Sequence, residues 1–327
     1  MALLLVSPFS RDLRAELNSG AVHAPKYPLP QFLAGTTTQG DYDKWLSIKA
    51  FTLFRADKRR ERPCALGGSI SGYKKRIHDA VVSGGIVDPF TGDTLRWDLI
   101  HKWNDLQNKG RGNFMKEFSL LPTVDHKDPE AKEIEFEICS WLINGCKSDQ
   151  TPQEFVETCR KIVLYRHVQK LAEHTASADA LGGHIKIYVP PEFLTGICTQ
   201  KMYEKWLDAH AESLYVRDRN QHRPYALTSS KALYKMAIHH AVCASGPCDP
   251  YTGDRMKWEL MGTWDIIKGH GQPESYKKEY YLLPTIDHVN PWADVLEFEI
   301  CSWRINCCKG DLTPDEFVEV CRRVGER

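Results

Sequence analysis

Long apolar runs are missing from this chain. The opening stretch Met1 to Val6 is apolar, but no positive charge precedes it and it is too short for a signal-peptide core or a membrane span. No later window comes closer, so the chain is read as cytoplasmic. Net charge is missing as well: 43 Lys and Arg balance 43 Asp and Glu. That balance removes the generally basic surface that favours phosphate binding, while leaving room for a basic cleft on an acidic body. Although there are 11 cysteines, none forms a Cys-x-x-Cys pair. A disulfide framework and a structural zinc site are therefore not expected, and most thiols should be reduced, buried and apolar in behaviour.

What is present is a repeat. Lys44-Trp45 recurs about 160 residues later as Lys205-Trp206, and Arg62-Pro63 as Arg223-Pro224. Asp88-Pro-Phe-Thr-Gly-Asp93 recurs as Asp249-Pro-Tyr-Thr-Gly-Asp254. With a one-residue insertion before Leu121, Asp125-His126 matches Asp287-His288, Phe136 to Trp141 matches Phe298 to Trp303, and Asn144 and Lys147 match Asn306 and Lys309. A period this long makes each copy a domain, not a solenoid unit. The expected organisation is an N-terminal extension over 1–30, a first domain over 31–165, a linker over 166–190 and a second domain over 191–327. Small polar residues from Thr175 to Gly183 suit the linker.

Each copy starts with apolar spacing that predicts a helix, over Tyr42 to Phe54 and Met202 to Tyr215, then a second over Tyr73 to Val82 and Tyr234 to Val242. Pro and Gly in the Asp-Pro-aromatic-Thr-Gly-Asp segment impose a tight reversal. Leu95 to Trp97 and Met256 to Trp258 fit a strand or a helix start, and glycine-containing loops at Gly110, Gly112, Gly269 and Gly271 follow. Phe118 to Val124 and Tyr280 to Ile286 read as strands leading into Asp-His. Phe136 to Cys146 and Phe298 to Cys308 have helical spacing. Thr151-Pro-Gln-Glu154 and Thr313-Pro-Asp-Glu316 place Thr, Pro and Glu where a capped helix starts.

Pro122-Thr-Val-Asp125-His126-Lys-Asp-Pro129 followed by Asn144-x-x-Lys147-x-Asp-x-Thr-Pro-x-Glu-Phe155, and the matching Asp287-His288…Asn306-x-x-Lys309…Phe317, resemble the HNH endonucleases. The resemblance covers the Asp-His to Glu-Phe segment of each copy and implies an α+β fold: a tandem duplication of a mostly helical domain holding a ββα-metal (HNH-like) core. It implies His126 and His288 as general bases, and Asp125, Asn144, Asp287 and Asn306 as ligands of Mg²⁺ or Mn²⁺, zinc being unlikely. Lys147 and Lys309 would contact phosphate. Two departures stand out. The family's middle Asn is not evident, Glu135 and Glu137 or Glu297 and Glu299 standing nearby, and the zinc knuckle is missing. These residue types suit phosphodiester hydrolysis, in which a neutral His takes a proton from water and a cation on carboxylate and amide oxygens keeps positions open for phosphate.

Blander readings stand beside these. Asp-His also serves as a hydrogen-bonded structural pair, Asn144 and Asn306 as helix-end polar residues, and Lys147 and Lys309 as cations at a helix C-terminus. Asp88 and Asp249 open structural turns, His78 and His239 are core histidines, and Trp97, Trp141, Trp258 and Trp303 are core aromatics. The run Lys58, Arg59, Arg60 and Arg62, with Arg223 in the second copy, is a solvated loop or a phosphate contact. Together they predict a metal-dependent endonuclease on nucleic acid, DNA before RNA, working as a monomeric pseudo-dimer with one site for each strand. The alternatives are a non-catalytic nucleic-acid-binding protein on an HNH-like scaffold, and a structural or regulatory protein.

Overall fold

The computed structural model describes residues 25–102, 117–173, 188–261 and 276–327. The four loop glycines, the linker segment Thr175 to Gly183 and most of the N-terminal extension lie outside them. The fold is α+β and consists of two similar halves, each with one antiparallel two-stranded sheet.

The first half runs α1 (Gln39–Arg59), α2 (Ile70–Gly84), β1 (Pro122–His126), β2 (Phe136–Ser140), α3 (Trp141–Lys147) and α4 (Pro152–Glu173). The second runs α5 (Gln200–Asn220), α6 (Lys231–Ser245), β3 (Pro284–His288), β4 (Phe298–Ser302), α7 (Trp303–Lys309) and α8 (Pro314–Gly325), with short helical turns between. Thr38, Ser69 and Ser140 accept from backbone amides at the starts of α1, α2 and α3, which explains why those helices begin where they do. Thr313 and Glu316 make the reciprocal capping box of α8, and Thr151 and Glu154 exchange the same bonds in α4.

The helix expected over Phe136 to Cys146 is two elements. Ser140 ends β2 and caps α3, so the apolar residues before it alternate as a strand and those after it turn as a helix. Leu95 to Trp97 leads into a 3₁₀ turn at Trp97–Leu99, not a strand. The Phe118 end of its predicted strand is a turn ahead of β1. Helix α4 continues past residue 165, where the first domain was expected to end.

Strand register sorts the side chains. His126 pairs with Phe136, Asp125 with Glu137 and Val124 with Ile138. Neighbours on a strand face opposite ways, so Val124, Phe136 and Ile138 join the core of α1 and α2, while Cys139 joins a different core. That second core is shared: Cys139, Cys146, Phe155 and Cys159 meet Cys301, Cys308, Phe317 and Cys321 across the halves. Helix α3 packs on α7 and α4 on α8, like against like, as at a two-fold interface. All the cysteines are free, and those of the shared core are buried.

Asp88 ties the turn to the hairpin. Its Oδ1 accepts from the amides of Phe90 and Thr91 at 2.8 and 3.0 Å, and its Oδ2 accepts from Ser140 N at 2.6 Å. Asp249 repeats all three. Gly92 closes the turn at φ 76°, with the Arg327 guanidinium 2.6 Å from where a Cβ would stand. Asp88→Ala leaves three amides, two of them buried, without an acceptor. The expected loss is about 1–3 kcal/mol, read as a lower urea midpoint, and an unchanged midpoint would show the turn to be independent of the hairpin.

The remaining assignments divide. His239 is a buried histidine, held by Tyr203 at 2.9 Å, whereas His78 is only half-buried, held by Tyr42 at 2.8 Å. Trp97 and Trp258 are fully buried, but Trp141 and Trp303 are only half-buried.

Candidate functional site

Because Asp125 and His126 are consecutive on β1, they turn to opposite sides of the hairpin. His126 faces α1. Its Nε2 lies 2.8 Å from Asp57 Oδ2, and its Nδ1 lies 3.2 Å from Arg62 Nη1. A carboxylate only accepts, so Asp57 fixes the proton on Nε2 and leaves Nδ1 as the acceptor from Arg62. Asp57 also accepts from Arg62 at 3.0 Å and from the Tyr73 hydroxyl at 2.9 Å. Burial opposes charge on both Asp57 and His126. The bonds between them win on each side, holding Asp57 below the usual carboxylate range and His126 above the usual imidazole range.

Asp125 faces α3. Lys147 reaches back from the last turn of α3, its Nζ 2.9 Å from Asp125 Oδ2 and 3.0 Å from the carbonyl of His126. Lys147 is 1% exposed. The expected phosphate contact of Lys147 and Lys309 is therefore corrected: α3 and α7 press both ammonium groups onto the strands, where they neutralise buried carboxylates. Burial nevertheless pushes Asp125 up, and it pushes Glu137, opposite it in the hairpin, up to about 7. The Oε1 of Glu137 is buried without a hydrogen-bond partner.

Asp57, Arg60, Arg62, Asp125, His126 and Asn144 line one cavity of about 310 Å³, walled on its apolar side by Leu53 and Val124. Lys58 and Arg59 lie on the exposed end of α1 beside it, while Arg62 is buried within the Asp57 network. Sequence reasoning passed over Asp57, Tyr73 and Cys64. Asp57 is hidden in a basic run, yet its recurrence as Asp218, in register with Arg62 and Arg223, was a usable signal.

The second half keeps the frame and changes the fittings. His288 Nε2 lies 2.8 Å from Asp218 Oδ2, and Tyr234 donates to the same carboxylate at 3.0 Å. Lys309 donates to Asp287 at 2.9 Å and to the His288 carbonyl at 2.7 Å. Where the first half has Cys64, the second has Tyr225, stacked on the His288 ring at 5.7 Å. Arg223, expected as a phosphate contact, is instead buried against Tyr225 and Asp311, under Trp292. Burial pushes His288 down to about 4 and Asp287 up to about 7.

No family model, curated protein or solved structure matches the chain. Two metal-binding arrangements can be weighed in the first half. Ligand atoms of Asp57, Cys64 and His126 lie within 4.8 Å of one another. Arg62 already supplies the positive charge there, within hydrogen-bonding distance of both Asp57 and His126, so a cation would have to displace it. Asp125 and Asn144 share the cavity wall, and the Asn144 amide has no hydrogen-bond partner among the described residues. Asp125 and Asn144 offer oxygen donors of the kind that Mg²⁺ or Mn²⁺ takes, with the Lys147 ammonium already 2.9 Å from Asp125 Oδ2.

Proposed function

We propose that the chain is a metal-dependent endonuclease that hydrolyses phosphodiester bonds, DNA before RNA, through an HNH-like hairpin-and-helix core. One observation carries the reading: the Asp-His pair at the end of β1, Asn144 of α3 and two arginines are among the residues that line a single cavity. Asp125 and Asn144 would hold the cation, which supplies charge stabilisation to the phosphate oxygens. Arg60 and Arg62 bind the phosphate. When Arg62 turns to phosphate it leaves His126 Nδ1, which then takes a proton from water. Asp57 keeps the ring in place and stabilises the imidazolium that forms.

A second reading has one observation in its favour. Both ring nitrogens of His126 are already engaged, as they would be in a non-catalytic nucleic-acid-binding module with a structural Asp-His pair. Cleavage of supercoiled plasmid with Mg²⁺, Mn²⁺ or EDTA separates the two. The nuclease reading expects metal-dependent nicking or linearisation that His126→Ala reduces about a hundredfold or more. DNA retention with no cleavage of plasmid, single-stranded DNA or RNA under either metal would establish the binding module instead.

Among the described residues no helix is long and apolar enough to cross a membrane.

A further inference from the structure

Asp125 and Asp287 are held alike, each by its lysine at 2.9 Å, but the two halves differ at the asparagine, the glutamate and the residue beside the histidine. In the second half Asn306 Nδ2 donates to Thr285 Oγ1 at 3.0 Å and to the Ile286 carbonyl at 3.1 Å, which pins the amide against β3. In the first half the matching threonine is already taken: Lys49 Nζ donates to Thr123 Oγ1 at 3.0 Å. The second half has His210 in place of Lys49, turned to the carbonyl of Trp206 on its own helix. Glu299 accepts from the Tyr251 hydroxyl. In the first half Phe90, which has no hydroxyl, stands at the position of Tyr251, and the Oε1 of the counterpart Glu137 is left unpartnered. Tyr225 lies on His288, where the first half has only the smaller Cys64.

We infer that the chain takes one divalent cation, in the first half alone, and that Lys49 is the positioning residue that keeps Asn144 free to bind it. This rests on the nuclease reading and deepens it. The second half is a sealed copy that completes the shared core, so the enzyme nicks one strand instead of dividing two strands between two sites. The halves differ in what occupies the threonine: Thr123 Oγ1 accepts from the ammonium of α1, and Thr285 Oγ1 accepts from the amide of α7. Lys49 touches neither the phosphate site nor the cation, and acts through Thr123.

The test counts Mn²⁺ bound to the full chain by electron paramagnetic resonance of the free ion, with thermal unfolding as the fold control. One Mn²⁺ per chain is expected, lost in Asn144→Ala and retained in Asn306→Ala. Lys49→Met should weaken binding about tenfold, as Asn144 swings onto Thr123. Adding Thr123→Val, which removes the competing acceptor, should restore it; a merely structural role for Lys49 would give no such rescue. Two equivalent Mn²⁺, loss of binding in Asn306→Ala, or full affinity in Lys49→Met would overturn the inference. The two failures stay distinguishable: cleavage with two bound Mn²⁺ removes only the asymmetry, whereas neither Mn²⁺ binding nor cleavage removes the nuclease reading with it.

Discussion

Asp57→Ala should lower the stability of the chain by about 3–5 kcal/mol, the cost of breaking a buried charge pair from one side. Asp57 is fully buried and accepts from Arg62, Tyr73 and His126. Removing its carboxylate leaves a guanidinium, a phenol and an imidazole inside the protein around an empty acceptor position. All three are buried beside α1, whose Trp45, Leu46 and Ala50 are packed into the first core. The arginine is the most costly to strand, because it cannot lose its proton at any accessible pH. Asp57→Asn should fall between wild type and Ala: it keeps an acceptor oxygen for Tyr73 but loses the charge that matches Arg62. Urea unfolding monitored by tryptophan fluorescence reads the difference. A loss below about 1 kcal/mol in Asp57→Ala would mean that the network is a surface-like pairing and that His126 is oriented by something else. Asp218→Ala should cost less, because Arg223 retains Asp311 and Tyr225 as partners.

That network also shows where sequence reading stops. The helix caps, the Asp88 turn and the buried His239 follow local rules, and each was readable from a few adjacent residues. Asp57 lies 69 residues before its histidine, and among Arg55, Lys58, Arg59 and Arg60 it looks like one acid in a basic surface run. Only the fold shows that the last turn of α1 brings Asp57 under β1 while its neighbours stay exposed. Lys147 failed in the opposite direction. A lysine ending a helix reads as a solvent-facing cation, but α3 has seven residues and lies against its own hairpin, so its last turn points back at β1. The β2–α3 segment was read as one helix because Phe136, Ile138 and Cys139 also fit helical spacing over so short a span. The deciding residue was Ser140, a polar N-cap in the middle of the run. The asymmetry between halves was visible as letters, Cys64 against Tyr225 and Lys49 against His210. It gained meaning only once Thr123 and Thr285 were seen to accept from different donors.

Glu137 connects this asymmetry to stability. Its folded-state value of about 7 stands above the ordinary 4.5, first because burial penalises the carboxylate and further because Asp125 is nearby, against the pull of Lys147. The folded state therefore binds more protons than the unfolded state between those two values. The stabilising effect of this proton is complete below about pH 4.5 and is lost as pH rises to about 7, leaving a penalty of about 3 kcal/mol above it. Glu137→Gln removes the ionisation. It should stabilise the chain by about that amount at pH 8 and by almost nothing at pH 4.5, measured as the difference in urea midpoints from wild type. His126 also titrates, but it is common to both proteins and drops out of the difference. Phe90→Tyr tests the cause from the other side, by giving Glu137 the hydroxyl that Tyr251 gives Glu299, and it should recover part of the same stability at pH 8. An equal midpoint difference for Glu137→Gln at both pH values would show that its carboxylate is not desolvated. A Phe90→Tyr variant no more stable than wild type would show that the missing hydroxyl is not what sets the two hairpins apart. If both expectations hold, the first half carries an unpaired buried carboxylate that the second half has neutralised, and bound Mn²⁺ should relieve the penalty in wild type but not in Glu137→Gln.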